Sequence, residues 1–125
     1  MESIVANIFV NDMDQTINFY KLLGFEITNS VPDQSPFVWI MMTSEVVNIM
    51  FQTKESLGED LPEISREDGG SLLLYIGVKQ IRDLHNRIKD QVHVLKGLEK
   101  TFYGATEFSI LDNNGYVLTF TENEG

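Results

Sequence analysis

Cysteine is absent from the 125-residue chain, which excludes disulfides, thiolate nucleophiles and cysteine-ligated zinc. Positive charge is scarce as well. Nine Lys and Arg stand against nineteen Asp and Glu, a formal net charge of −10. That charge repels phosphate backbones and anionic lipid surfaces, so neither nucleic acid nor membrane is expected as a partner. There is no apolar run of membrane-spanning length, and the N-terminal MESIVANIFV lacks the basic n-region of a signal peptide, which leaves the cytoplasm as the expected location. What is present is ordinary for a folded soluble protein of one domain, with 42% hydrophobic and 22% charged residues. The acidic groups gather in Glu55, Glu59, Asp60, Glu63, Glu67 and Asp68 and again in the tail with Glu122 and Glu124. Both clusters read as solvated acidic surface.

Hydrophobic periodicity orders the chain into two halves. In residues 4–10, Ile4, Ala6, Ile8 and Val10 alternate with Val5, Asn7 and Phe9, the pattern of a strand with one core face. Asp12 then offers a helix cap with Gln15 three residues on, and Met13, Ile17, Tyr20 and Leu23 recur at helical spacing until Gly24 ends the helix. Residues 25–31, 36–42 and 46–53 are three extended runs, so residues 1–53 form a βαβββ module. Residues 54–70 are polar and acidic, contain Pro62 and the pair Gly69-Gly70, and read as a connector with a short helical turn near residues 56–60. A strand over 71–78, a helix marked by Ile81, Leu84 and Ile88, and strands over 92–98, 106–111 and 116–121 make residues 71–125 a second βαβββ module. His85 falls in the second helix and His93 just after it, and they read as a helix-surface and an edge or loop histidine.

The stretches VNDMDQTINFYKLLGFEI and YGATEFSILDNNGYVLTFTE together resemble the vicinal oxygen chelate superfamily, the glyoxalase, bleomycin-resistance and extradiol-dioxygenase group. The resemblance covers nearly the whole chain. It implies an α+β fold in which the two modules curl into a cup-shaped pair of half-barrels with helices outside, and it implies a homodimer. In metal-using members, four His, Glu or Gln ligands come from the first and last strands of both modules. Strand phase places Val5, Met50, Leu73 and Thr119 at those positions. None is a normal divalent-metal ligand, and a slip of one residue in either direction yields only hydrophobes, so no metal and no cofactor are expected.

The same phases line the cup with Val5, Asn7, Phe9, Asn48, Met50, Gln52, Leu73, Tyr75, Thr119 and Thr121, with Trp39 and Met41 as further candidates. Such a wall suits an organic ligand held by stacking and neutral hydrogen bonds, and the net acidity suits a cationic one. The candidate ligand-binding residues are Asn7, Phe9, Trp39, Asn48, Met50, Gln52, Tyr75, Thr119 and, at the rim, Tyr103. Packing of the same side chains into a core is the competing reading. Two functions are compatible with the resemblance. One is a metal-independent binding protein similar to bleomycin-resistance proteins, with its site in the cup or at a dimer groove. The other is a metal-independent lyase or isomerase using Glu107 or Tyr75 for proton transfer.

Overall fold

The computed structural model describes residues 1–125, which divide into two compact units, Met1–Glu67 and Asp68–Gly125. In the first unit β1 (Asn7–Val10), α1 (Met13–Leu22), β2 (Glu26–Val31), β3 (Trp39–Ser44) and β4 (Val47–Thr53) precede a short α2 (Lys54–Leu57). The sheet order is β1-β4-β3-β2, with β1 parallel to β4 and the other pairs antiparallel. Asp12 caps α1, its Oδ1 accepting from the Gln15 amide at 3.0 Å, and Gly24 leaves the helix at φ +96°, a turn that glycine makes without a Cβ clash. Met13, Ile17 and Tyr20 lie on one helix stripe and are buried with Ile8, Val10, Ile40, Met42, Ile49 and Phe51. The Tyr20 and Phe51 rings sit 4.7 Å apart at the centre of this core.

The second unit repeats the plan. It contains β5 (Leu73–Gly77), α3 (Ile81–Ile88), β6 (His93–Lys100), β7 (Thr106–Leu111) and β8 (Val117–Glu122) in the order β5-β8-β7-β6. Each unit is thus a βαβββ module with an open four-stranded mixed sheet, and the α+β class expected from the sequence holds. Phe108, Ile110, Leu118 and Phe120 are buried on one side of the sheet with Ile81, Leu84 and Ile88 of α3, and Phe108 and Phe120 stack at 5.0 Å. Asp112 ties the β7–β8 turn, its Oδ1 accepting from the amides of Asn114 at 2.8 Å and Tyr116 at 2.9 Å. Gly69 rests against this turn. A Cβ on it would lie 2.6 Å from the Gly115 carbonyl oxygen, closer than atoms can approach.

Several local expectations need correction. The first strand begins at Asn7, not Ile4, because its partner β4 supplies ladder bonds only as far as the Met50 amide on the Ala6 carbonyl; Ile4 is 97% exposed. The third strand runs over Trp39–Ser44, later than residues 36–42. The acidic connector is organised from within. Arg66 donates to the carbonyls of Gly58 at 2.9 Å, Asp60 at 2.5 Å, Leu61 at 2.8 Å and Ile64 at 2.7 Å, and Lys54 Nζ donates to the Arg66 carbonyl at 2.8 Å. One guanidinium satisfies backbone acceptors that a loop this rich in carboxylates could not pair alone.

The acidic tail is not simply solvated. The N-cap of α3, Gln80, is left-handed and gives no side-chain cap. In its place the Glu122 carboxylate from the end of β8 accepts from the amides of Gln80 and Ile81, both at 2.9 Å, where the helix dipole favours a negative charge. Glu124 pairs with Arg82 at 3.1 Å and accepts from Thr106 at 2.5 Å. His85 departs from the helix-surface reading as well. It is half-buried, edge-on to Phe108 at 5.0 Å, and its Nδ1 is buried with no hydrogen-bond partner.

Candidate functional site

Strand alternation puts the apolar partner of each helix on one face of its sheet and leaves the other face for different side chains. In the first unit that opposite face carries Asn7 and Phe9 of β1, Asn48, Met50 and Gln52 of β4, and Trp39 and Met41 of β3. The register pairs Asn7 with Met50, Phe9 with Gln52, Gln52 with Trp39 and Met50 with Met41. Asn7 Nδ2 donates to Gln52 Oε1 at 3.1 Å, Gln52 Nε2 donates to Ser56 Oγ at 3.1 Å, and Thr43 donates to Asn48 at 2.7 Å. The six candidate ligand residues of this half therefore share one face, but their amides are already engaged with each other and with neighbours.

The corresponding face of the second unit holds a cavity. It measures about 350 Å3 and is lined by Leu73, Tyr75, Leu95, Lys96, Glu99, Glu107, Phe108, Ser109, Val117 and Thr119. Parallel pairing sets Tyr75 of β5 beside Thr119 of β8, and antiparallel pairing sets Thr121 beside Glu107 of β7. Tyr75 is thus diagonal to Thr121 and reaches Glu107 across β8. Both Tyr75 Oη and Tyr103 Oη donate to Glu107 Oε2, the Tyr103 bond at 2.8 Å, and Tyr75 Oη lies 3.2 Å from Thr121 Oγ1. Tyr103 reaches in from the β6–β7 hairpin loop, closed by the Thr101 amide on the Ala105 carbonyl at 2.8 Å. Its neighbour Phe102 is 100% exposed and meets the Tyr103 ring edge-on at 5.0 Å.

Two opposing influences set the charge of Glu107. Partial desolvation pushes its carboxyl up, but hydrogen bonds from Tyr75, Tyr103 and Thr121, with the nearby Lys96 charge, together hold it below the usual carboxylate value. Tyr103 responds in the opposite sense. Its hydrogen bond to Glu107, then that to Tyr75, push the phenol well above its ordinary value of 10.0. At neutral pH the cluster is an ionised carboxylate that accepts from the protonated Tyr103 phenol and from the Tyr75 hydroxyl. Lys96 does not neutralise it alone, because its ammonium is bound to Glu99 at 2.9 Å.

The four positions that the resemblance assigns to metal ligands do not fit a divalent cation. Thr119 Oγ1 is hydrogen-bonded to Ser109 Oγ at 2.8 Å, Met50 brings a thioether, and Val5 and Leu73 bring no donor. Val5 precedes β1. No group of three or more His, Cys, Asp or Glu side chains comes together elsewhere. Of the expected site residues, the structure joins Tyr75, Glu107 and Thr119 around one cavity, with Tyr103 outside its lining but hydrogen-bonded to Glu107. Sequence reasoning missed Leu95, Lys96, Glu99, Phe108, Ser109 and Val117. Ser109 is two residues from Glu107 on β7 and Val117 two from Thr119 on β8, and their strand phase was a usable signal; the two bulges that irregularise β6 hid Leu95, Lys96 and Glu99.

The sequence model of the Glyoxalase/Bleomycin resistance protein/Dioxygenase superfamily matches residues 3–120. No curated protein matches the chain by sequence. Solved structures share the fold at low identity. TioX from Micromonospora sp. ML1 superposes with a TM-score of 0.79 at 15% identity, covering 98% of this chain and 99% of that one. A glyoxalase/bleomycin resistance protein/dioxygenase family enzyme from Burkholderia phytofirmans PsJN gives 0.77 at 22%, covering 95% and 96%. A bleomycin resistance determinant encoded on the transposon Tn5 gives 0.68 at 19%, covering 100% of both chains.

Proposed function

Because the chain belongs to the glyoxalase/bleomycin resistance protein/dioxygenase superfamily, we propose that it is a metal-independent member that binds a small organic molecule, with the open face of its second sheet as the site. One observation carries this reading: the cavity of about 350 Å3 combines apolar walls with a few convergent polar groups, as small-molecule sites do, while the positions of the family's metal ligands hold Val5, Met50, Leu73 and Thr119. The proposal extends to a homodimer resident in the cytoplasm.

Binding is favoured over catalysis by the state of the carboxylate. A general base works best with a pKa near the operating pH, whereas Glu107 is held below the ordinary carboxylate range and already accepts from two phenols. Tyr75 has committed its proton to the same oxygen. The pair orients and attracts; it is not poised to move a proton. A library screened by thermal shift, with hits located by amide chemical-shift changes, tests the reading. Hits are expected to perturb Leu73, Tyr75 and Thr119 and to weaken several-fold in Tyr75→Ala, since losing one aromatic wall removes about 0.5–1.5 kcal/mol beyond area burial. Hits indifferent to Tyr75→Ala and located away from this face would reject it. For the metal, elemental analysis is expected to find no stoichiometric transition metal after dialysis. A metal that survives dialysis and is lost on changing Met50 or Thr119 would count against this reading.

A further inference from the structure

Within the cavity the charges do not cancel. Lys96 is bound to Glu99 at 2.9 Å and acts on Glu107 only through space, so the groups that hydrogen-bond Glu107 are neutral hydroxyls, Tyr75 and Tyr103 chief among them. Both phenols converge on the same oxygen, Oε2. Farther along the cavity from the carboxylate stand the side chains of Leu73, Leu95 and Val117, which offer apolar surface but no counter-charge. A ligand complementary to this arrangement has an apolar body and one positively charged N–H donor. An anion would meet Glu107 and Glu99 without a free cation, and a neutral ligand would leave the carboxylate's charge unanswered. The net charge of −10 adds a long-range field that concentrates cations near the protein.

We propose that Glu107 is the recognition point for the protonated amine or amidine of an aryl- or alkyl-bearing ligand, and that this group takes the place of the Tyr103 hydroxyl on Oε2. Tyr103 is the displaceable partner of the two. It stands on a hairpin loop whose other aromatic, Phe102, is 100% exposed, whereas Tyr75 is fixed within β5 by the ladder to β8. Displacement frees the Tyr103 ring to lie against the ligand's apolar body. The low proton affinity of Glu107 supports the assignment, since the group stays anionic wherever an amine stays cationic. The inference rests on the cavity being the binding site and names the chemistry of what enters it.

Three probes that share a phenethyl body test it: 2-phenylethylamine, 2-phenylethanol and 3-phenylpropionate, each titrated into the full chain at neutral pH and followed by amide chemical shifts. The amine is expected to bind at this face about tenfold more tightly than the alcohol, the size of one charge-assisted hydrogen bond, with the carboxylate weakest. In Glu107→Gln, which keeps an acceptor for the tyrosines, the preference for amine over alcohol should collapse, because both probes then meet a neutral amide. Added salt should weaken the amine alone. If amine and alcohol bind this face equally, or if the amine's advantage survives Glu107→Gln, the assignment of Glu107 is overturned while the cavity stands as a binding site. If none of the probes perturbs this face, the site reading fails and this inference with it.

Discussion

Glu107 draws two phenols onto one oxygen, and its charge sets the conditions under which they stay there. Its folded-state proton affinity is lowered, so its contribution is complete above the ordinary carboxylate value and is lost as the pH falls through a point below 4.5. An NMR titration of the Glu107 carboxyl should therefore show a midpoint below 4.5. It should also show the Tyr75 and Tyr103 ring signals moving with that same midpoint. Rings that shift independently of the carboxyl would contradict the cluster. The alkaline limb has the opposite sign. Tyr103 is raised, so what it adds is present below about 10 and disappears only as the pH climbs through its higher folded value. Ultraviolet titration of the four tyrosines should show a late-ionising one that reverts to the ordinary range in Glu107→Gln. Among the glycines, Gly69 is the least replaceable. With φ at +79° and the Gly115 oxygen 2.6 Å from a would-be Cβ, Gly69→Ala is expected to cost more than about 1 kcal/mol. Denaturant melts that coincide with those of the unmodified chain would contradict the close approach of these two turns.

At the level of the elements, α3 depends on a carboxylate borrowed from β8. Replacing Glu122 with Ala should remove about 0.5–2 kcal/mol, expressed as faster amide exchange at Gln80 and Ile81. Unchanged exchange at those two amides would show that the cap carries no weight. The core stripes are legible in the sequence alone, because Met13, Ile17 and Tyr20 keep helical spacing and Leu118 and Phe120 keep strand spacing regardless of what they pack on. Phe51, fully buried against Tyr20, should lose about 3–5 kcal/mol on truncation to Ala. The beginnings of β1 and β3 are not legible in that way. Where a strand starts is decided by how far its neighbour's ladder reaches, as the Met50 amide decides at Ala6, and that is a property of the pair. The site is visible only in parts for the same reason. Tyr75, Tyr103, Glu107 and Thr119 each stand out singly, but the convergence of Tyr75, Glu107 and Thr119 on one face follows from the β5–β8 and β7–β8 registers, and Tyr103 joins them from the β6–β7 loop. A single sequence does not encode registers between strands this far apart in a form that periodicity can read. Glu122 looks solvated because nothing local announces a cap that belongs to a helix 41 residues earlier.

For the whole molecule, the homodimer is the expectation most open to test. Strand β5 leaves Leu73 and Tyr75 at 50% and 57% exposure on a strand that ends its sheet, and such edges gain from cover. Light scattering at micromolar concentration is expected to return twice the chain mass; a single chain mass throughout would rule the dimer out. No helix is long and apolar enough to cross a membrane, and the longest, α1, has 10 residues. The pairing of first strand with last has a bearing on how the protein is made. During synthesis β1 has no partner until β4 leaves the ribosome, and β5 and the start of α3 both wait for β8. Each half must therefore be held open, apolar stripes uncovered, for most of its own translation. It then closes as its last strand arrives, the first half well before the second. Protease sensitivity of stalled nascent chains should fall in two steps, one when residue 53 has cleared the exit tunnel and one when residue 122 has.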